Sequence, residues 1–432
     1  MTRLFTPTRL RLPVHSSTEM TTSAAGPDLR PAETGVASHL VTLLAVTCGL
    51  LIANVYYSQP IAGPIAASLG LPPEATGLIV TATQAGFGIG LLFVVPLGDL
   101  IENRRLVLIL IGIAGVALLT AALSSTPLTY LTAAALVGLG SVAVQVLVPF
   151  AAHLAPEQIR GRVVGNVMSG LMIGIMLARP AAGFVTQIAS WHAVFYAAAI
   201  YMTLAALILR LGLPPRVPVA RTSYGALLKS LGFLALRTRV LQRRALYQAC
   251  LFAAFSLFWT TVPLLLTGPT FGMSQGRLAL FALVGGAGAI AAPIAGRVAD
   301  KGYTRPATAF GMLAVGVAYL LTDLRSDGST FHLACLIAAA ILLDFGVTAN
   351  TTLGQRAIFV LGAEFRSRLN GLYIAAFFAG GAVGSSLGGW AYATGGWGLA
   401  SGAGCGFAVL AFGLFLTEFV RPKRRYRPIK GY

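Results

Sequence analysis

Charge is scarce in this chain, and negative charge is scarcer than positive. Only 10% of the 432 residues are charged, and 13 Asp and Glu stand against 31 Lys and Arg. Soluble globular domains carry about 25% charged residues, so this composition excludes an ordinary soluble domain. Hydrophobic residues make up 56% of the chain, and the mean hydropathy is +0.79. These values are typical of an integral membrane protein.

Residues that bind metals, form disulfides or hold nucleotides are also few. The five His residues are scattered and form no cluster with Asp or Glu at metal-binding or acid–base spacing. The four Cys residues are isolated within apolar stretches, as small core residues are. The dipeptide Gly-Lys, which a Walker phosphate loop requires, does not occur. We therefore predict no metal, no cofactor and no self-contained ATP-driven pump, and a membrane-embedded enzyme is the alternative from a different class.

About twelve apolar stretches are long enough to cross a bilayer, and we call them spans 1 to 12 in chain order. A spanning helix needs roughly 20 apolar residues. Transmembrane barrel strands are about half as long and alternate in polarity, which these runs do not. The sequence therefore predicts an all-α membrane protein with twelve transmembrane helices. Clear examples of the apolar runs are residues 78–97, 106–123, 129–151 and 398–416.

All but three of the 31 Lys and Arg residues lie in the tails or in every second gap between spans. The opposite gaps hold only Arg277 and Arg325, and one further basic residue, Arg179, lies within span 5. Because positive charge is retained on the cytoplasmic side, we predict that both termini are cytoplasmic. The scatter over many loops also argues against a nucleic-acid partner despite the net charge of +18. We expect the basic residues to lie beside the lipid bilayer instead.

The two halves of the chain repeat each other. Asp99 and Arg104 match Asp300 and Arg305 at an offset of 201 residues. This indicates a parallel duplication of six spans, which puts a binding site near the midplane between the halves. At an offset of 206 residues the matching pairs are Gly140/Gly346, Arg160/Arg366, Arg162/Arg368, Gly165/Gly371, Gly174/Gly380, Gly183/Gly389 and Trp191/Trp397.

The repeat and the polar segments define the predicted domain organisation. Leu residues among Lys229, Arg237 and Arg239 predict a helix over 224–241 in the cytoplasmic interface, with a solvated linker as the alternative. Residues 1–19 belong to the tail unless Met20 is the true initiator. The predicted parts are a disordered cytoplasmic tail 1–37, an N-terminal half 38–212, a cytoplasmic linker 213–242, a C-terminal half 243–420 and a basic cytoplasmic tail 421–432.

Three motifs carry a resemblance to a known family. The loops after spans 2 and 8 read LGDLIENRR at 97–105 and GRVADKGYTR at 296–305, and span 5 contains RPAAG at 179–183. The loops resemble the Gly-x-Leu-Ala-Asp-Arg-x-Gly-Arg-Arg signature of the major facilitator superfamily. Span 5 resembles the Gly-Pro-x-x-Gly of its antiporters, with Arg179 in place of the first glycine. The overall resemblance is closest to twelve-span drug/proton antiporter-like exporters.

The resemblance implies a fold, a mechanism and two sets of functional residues. It implies two six-helix halves that expose a central site alternately to each side. It implies cytoplasmic latches in which acids at helix ends pair with arginines. The latch residues are Asp99, Arg104, Arg105, Asp300 and Arg305. It also implies a cavity lined by spans 1, 4, 7 and 10, and ordinary core packing is the alternative for each lining residue. The cavity candidates, with Gln84 nearby on span 2, are Asn54, Tyr57, Gln145, Phe255, Trp259 and Asn350.

Asp344 and Arg179 are the deepest ionisable residues in the predicted spans. Their spacings from Arg356 and Arg162 put them roughly 18 Å and 25 Å from the cytoplasmic side. An ionisable side chain at such depth costs at least ~2.5 kcal/mol to insert. We hypothesise that Asp344 binds a proton and Arg179 holds an anionic or polar substrate group. A structural contact between helices for Asp344 and snorkelling for Arg179 are the alternatives.

These features predict a monomeric secondary transporter that exports a small organic or amphipathic solute against proton entry. A facilitator or importer of a small polar metabolite is the alternative. The preference for Arg over Lys points to GC-rich coding DNA and favours a bacterial plasma membrane.

Overall fold

The structure is built from helices, most of them apolar and long enough to cross a membrane. The computed structural model describes residues 38–218, 223–325, 327–362 and 365–420, so the predicted tails 1–37 and 421–432 lie outside the described residues. Within the described part, ten helices have the length and composition of membrane spans. They are Pro73–Asp99, Asn103–Leu123, Pro127–Leu154, Arg160–Ile188, Trp191–Gly212, Arg239–Thr267, Gln275–Asp300, Thr304–Thr322, Thr330–Phe359 and Arg366–Phe419.

Two further features bring these ten helices to twelve crossings. Span 1 begins as the 16-residue helix Ser38–Ala53, and the chain continues through an irregular segment, residues 54–61, into helix Ala62–Leu69. The last helix is interrupted at Gly395 and Gly396, whose backbone is not helical. Gly396 has a φ of 64°, which glycine adopts without a steric penalty. The long helix therefore contains spans 11 and 12, and the predicted fold is confirmed.

A shorter helix, Tyr224–Arg237, connects spans 6 and 7, and we call it the linker helix. Ser223 caps its first turn, and one side of the helix buries Leu227, Leu231 and Leu234. The predicted helix in this segment is thus confirmed. The linker helix ends at Arg237, and span 7 begins at Arg239. Span 7 therefore begins four residues before the predicted domain boundary at residue 243.

The repeat found in the sequence recurs in the packing of the helices. A Cβ atom on Gly140 of span 4 would lie 2.6 Å from the carbonyl oxygen of Leu110 on span 3. A Cβ atom on Gly346 of span 10 would lie 2.5 Å from the carbonyl oxygen of Gly311 on span 9. Leu110 and Gly311 are themselves matched by the offset of 201. Both halves therefore need glycine at the same helix crossing, where the backbones approach closely.

Some of the contacts between the two halves lie near one end of the bundle. We call the end with the loops after spans 2, 4, 8 and 10 and the linker helix the basic face, and the other end the opposite face. Near the opposite face, the Thr81 and Ser385 hydroxyls hydrogen-bond at 2.8 Å between spans 2 and 11. Nearby, the backbone N–H of Gly276 on span 8 donates to the Gln187 side chain on span 5 at 3.0 Å. These contacts join the halves at the opposite face.

Candidate functional site

Arg179 is buried in span 5, where only 3% of the residue is exposed. Pro180 follows it within the helix and has no N–H for the carbonyl of Met176. The Arg179 Nε donates a hydrogen bond of 2.7 Å to the side-chain oxygen of Gln59, in the irregular segment of span 1. A buried guanidinium requires such partners, since an unpaired buried charge is strongly destabilising. This bond joins spans 1 and 5 at the centre of the molecule.

Aromatic rings surround the guanidinium group. The Arg179 Cζ lies 4.4 Å from the ring centre of Trp259 and 5.1 Å from those of Tyr56 and Phe255. Such distances give favourable cation–π interactions, which are strongest where water is excluded. Tyr56 belongs to span 1, and Phe255 and Trp259 belong to span 7. The charge of Arg179 is therefore stabilised from both halves of the protein.

Asp344 on span 10 lies beside the same tryptophan. It is 3% exposed, and its Oδ1 accepts a hydrogen bond of 3.0 Å from the Trp259 indole N–H. The ion pairs within 4.0 Å among the described residues do not include Arg179 with Asp344. Trp259 therefore contacts the cation with its ring and the carboxylate with its nitrogen, and links two charges that do not touch.

Gly285 on span 8 lies between the two charges. A Cβ atom on this residue would lie 2.9 Å from the Asp344 Oδ2 and 3.3 Å from Nη1 of Arg179. Span 8 changes here from an α-helix to the 3₁₀ segment Leu283–Ala287, a local change that often marks a functional hinge. The absence of a side chain at 285 thus leaves the two charged groups facing the same small space.

Several polar atoms in and near this centre are buried without a hydrogen-bond partner. Most buried polar groups in proteins are paired, so each exception calls for an explanation. Both side-chain atoms of Asn54 are unpaired, and one unpaired donor belongs to Arg179 itself. Such a concentration suits a site that binds a polar solute group during its working cycle. The unpaired atoms are Asn54 Oδ1 and Nδ2, Ser58 Oγ, Gln59 Nε2, Arg179 Nη2 and Thr260 Oγ1.

Other predicted cavity residues lie in different surroundings. The Gln84 amide donates to Ser256 at 2.8 Å and connects spans 2 and 7. Asn350 donates to the carbonyl of Gly346 in its own helix at 3.1 Å and packs against span 9. Gln145 lines a separate cavity at the basic face. Tyr57 is buried in the irregular segment of span 1. The structure therefore brings together Phe255, Trp259, Arg179 and Asp344 from the predicted set, and the functional roles stay predictions.

The predicted latch residues have other partners than each other. Asp300 pairs with Arg356 on span 10 at 2.7 Å, and the Arg305 Nε lies 4.0 Å from Glu418 on span 12. Arg104 donates to a backbone carbonyl in the last turn of span 6, that of Arg210. Neither Asp99 nor Arg105, both exposed, has an ion pair among the described residues. An ion pair between Asp99 and Arg104, or between Asp300 and Arg305, does not form in this conformation.

Sequence reasoning did not select three residues of the centre. Tyr56 and Gln59 lie in the motif NVYYSQP at 54–60 that closes span 1, but helical periodicity cannot orient side chains in an irregular segment. Gly285 lies in a glycine-rich stretch of span 8, and the sequence gives no sign that two charges face it. The proline of NVYYSQP was the available signal, because it predicts a departure from regular helix at this depth.

Comparison with known proteins identifies relatives over most of the chain. Residues 44–358 and 278–431 match the model of the Major Facilitator Superfamily. The uncharacterised transporter YgaY of Escherichia coli O157:H7 is 39% identical over 358 residues, which are 83% of this chain and 90% of YgaY. A protein of Streptomyces coelicolor that is named a probable transporter is 32% identical over 396 residues, which are 90% of this chain and 89% of that protein.

Solved structures show the same fold at low sequence identity. The nucleoside transporter NupG superposes with a TM-score of 0.69 at 15% identity, over 88% of this chain and 100% of NupG. A bacterial homologue of the human lysosomal transporter Spinster, in an inward-facing and occupied conformation, gives a TM-score of 0.70 at 15% identity, over 89% and 97% of the two chains. These similarities extend across nearly the whole length of both proteins.

Proposed function

This chain belongs to the Major Facilitator Superfamily and is a multi-pass membrane transporter of a small molecule, and we propose that it exports a small organic or amphipathic solute against proton entry. The observation that carries the proposal is the central pair of buried charges, Arg179 and Asp344, which face one space at Gly285. In this proposal Asp344 carries the proton, and Arg179 binds a polar or anionic group of the solute.

The electrostatics of the centre provide a means of coupling. With Asp344 ionised, its charge balances that of Arg179, and protonation leaves the site with a net positive charge. Arg179 does not lose its own proton, because an arginine stays charged in proteins. A polar solute therefore binds the two forms with different affinity, and such a difference is what couples one ligand to another. Export against proton entry follows when the solute prefers the deprotonated form, as a neutral polar group that also hydrogen-bonds to the ionised Asp344 would. A solute whose anionic group prefers the net positive, protonated site would move with the proton instead.

The arrangement of the halves supports alternating access. They are joined at the opposite face through Thr81 and Ser385, while a cavity of about 250 Å³ lies between them at the basic face. We propose that the basic face is cytoplasmic, as retention of positive charge predicts, and that the protein works as a monomer in a bacterial plasma membrane. We further propose that Asp99 and Arg104 pair when the basic face closes. Catalysis is not part of this proposal.

A transport assay with inside-out vesicles tests the coupling. A growth screen of an overexpressing and a deletion strain against toxic amphipathic compounds first supplies a substrate. Acidifying the lumen of inside-out vesicles should then drive accumulation of that substrate by the wild type and release protons from the lumen. The variant Asp344→Asn should lose accumulation, while Glu157→Gln, which removes an exposed carboxylate from the loop after span 4, should keep it. Full proton-driven accumulation by Asp344→Asn would refute the assignment of the proton site.

An importer or facilitator of a polar metabolite is the second candidate function. The same charge pair supports import if the solute prefers the form in which Asp344 is protonated. A solute that binds only when Asp344 is protonated moves in the same direction as the proton. Right-side-out vesicles distinguish the two functions. An inward proton gradient should drive uptake in the importer, exclude the solute in the exporter, and have no effect on a facilitator.

A further inference from the structure

The cavity at the basic face has a lining that the central site does not explain. It measures about 250 Å³ and lies between the ends of spans 2 and 4, the start of span 11 and the linker helix. Leu227 and Leu231 of the linker helix cover one side of it. The lining thus comes from both halves and from the segment that joins them.

The charged groups of this cavity are mainly positive. Arg216 and Arg368 line it, with Asp99 as the one carboxylate among the described lining residues. Both arginines are half-buried. No described carboxylate lies within 4.0 Å of either guanidinium. Two partly desolvated positive charges and one carboxylate, with which neither arginine is paired, leave the cavity with an excess of positive charge, and this favours an anionic occupant.

The guanidinium group of each arginine makes one side-chain hydrogen bond and keeps free donors. Nη1 of Arg216 donates to the Asn103 side chain at 2.9 Å, and the Asn103 N–H donates back to the Arg216 carbonyl at 2.9 Å. Nη1 of Arg368 donates to Ser230 of the linker helix at 2.6 Å. A guanidinium group has five N–H donors, so one such bond leaves most of them available. The two groups are oriented before any ligand binds, which reduces the entropic cost of binding.

The rest of the lining is apolar. Leu91, Val95 and Leu372 line the cavity together with the leucines of the linker helix. A ligand that satisfies both parts carries an anionic group and an apolar body. At the face of a membrane bundle, the abundant molecules of this chemistry are phospholipids with a net negative charge. We infer that the cavity binds the phosphate group of an anionic phospholipid between Arg216 and Arg368.

Occupancy would join the two halves at the basic face. Arg216 hydrogen-bonds to Asn103 of the N-terminal half, and Arg368 lies in the first turn of span 11 in the C-terminal half. The linker helix hydrogen-bonds to both halves. Its Tyr224 hydroxyl donates to the carbonyl of Phe93 on span 2 at 2.8 Å, and its Ser230 hydroxyl accepts from Arg368 on span 11. A phosphate shared by the two arginines stabilises this conformation relative to others, because a ligand favours the state that it binds. Anionic lipid would thereby regulate the transport cycle.

Reconstituted full-length protein tests this inference without knowledge of the substrate. The thermal unfolding midpoint is measured in phosphatidylcholine nanodiscs with increasing phosphatidylglycerol, and retained lipid is counted by native mass spectrometry. Wild type should gain stability and retain phosphatidylglycerol. The variant Arg216→Gln/Arg368→Gln should lose at least ~tenfold in apparent affinity. The matched control Arg237→Gln/Arg239→Gln removes two exposed charges near the same face and should behave as wild type.

A second arm identifies the source of the phosphate and guards against misfolding. Inorganic phosphate that stabilises wild type in phosphatidylcholine alone, through the same two arginines, would identify a free anion rather than a lipid and contradict the lipid assignment. The variant Asp99→Asn removes the opposing charge and should bind phosphatidylglycerol several-fold more tightly. Unchanged or weaker binding by this variant, or equal lipid dependence in wild type and the double arginine variant, would overturn the inference.

Discussion

Spans 5 and 11 are equivalent helices of the repeat, and their packing is alike. Gly174 of span 5 lies against the backbone of Gly49 on span 1. Its equivalent Gly380 on span 11 lies in the same way against the backbone of Ala249 on span 7. A side chain at either position would collide with main-chain atoms, which cannot move aside. The duplication has kept the residues that let neighbouring helices approach.

The polar residues of the same helices differ between the halves. Arg179 of span 5 is equivalent to Ser385 of span 11, which is fully buried and hydrogen-bonds to Thr81 across the halves. Asp344 of span 10 is equivalent to Gly138 of span 4, which packs against the backbone of span 2. At each of these two positions, one half has a charged residue, and the other half has a residue that packs against or hydrogen-bonds to a neighbouring helix. Residues shared by the repeat support the fold, whereas the unshared ones are where function should be sought.

The largest expected effect comes from removing one charge of the unshared pair. Asp344→Asn should destabilise the protein by about 3–5 kcal/mol, because it leaves the buried Arg179 without its counter-charge. Arg179→Gln should cost less, because Asp344 can take up a proton and become neutral. The double variant should recover most of the loss. Unfolding in detergent measures these differences, with Ser385→Ala as the control from the equivalent position.

The order of these losses in stability decides whether the two charges form one site. If Arg179→Gln proved as destabilising as Asp344→Asn, and the double variant added the two losses, the residues would act independently. The two charges would then not form one site.

A smaller effect is expected from filling the space between the charges. Gly285→Ala introduces a methyl group 2.9 Å from the Asp344 Oδ2 and should cost about 1–3 kcal/mol as overpacking, with at least ~tenfold slower transport if the solute uses this space. Gly286→Ala is the matched control, because its methyl group meets the flexible side chain of Met176 instead. Equal transport by the two variants would show that the space has no role.

The sequence was sufficient to predict the architecture because membrane spans obey simple rules. Long apolar runs, the offsets of 206 and 201, and the loop motifs each predict twelve helices in two halves, and the family comparison agrees. The packing of Gly140 and Gly346 follows from the same repeat. The sequence also predicted that Asp344 and Arg179 lie inside spans 10 and 5, and both residues are buried in those helices.

The residues that contact Arg179 and Asp344 could not be predicted from the sequence, because their positions depend on breaks in helical geometry. Gln59 reaches Arg179 only because the chain leaves the helix after Ala53, and periodicity does not define side-chain directions in such a segment. Gly285 faces the charges from a 3₁₀ turn, where residues are rotated relative to an α-helix. The predicted pairs Asp99–Arg104 and Asp300–Arg305 are not formed in this conformation, and a sequence motif does not specify a conformation.

Removing the support of Arg179 should have a moderate effect. Gln59→Leu keeps a side chain of similar size but leaves the Arg179 Nε without an acceptor, which should cost about 1–3 kcal/mol. Gln59→Glu keeps the acceptor and adds a negative charge, so it should retain Arg179 in place and weaken its coupling to Asp344. Unfolding and proton-driven transport separate the two effects. Wild-type transport by Gln59→Leu would mean that Arg179 needs no positioning from span 1.

The smallest effect is expected at the sealing contact of the equivalent helix. Thr81→Val removes the hydroxyl that bonds to Ser385 at 2.8 Å and to the Ala382 carbonyl at 3.0 Å. Loss of these bonds should cost about 1 kcal/mol in states where the halves meet at the opposite face, which shifts the conformational equilibrium roughly fivefold. Distances between spin labels across that face measure the shift. Thr394→Val is the control, because the Thr394 hydroxyl bonds only to carbonyls of its own helix. A shift as large in the control would mean that the seal does not depend on the contact between spans 2 and 11.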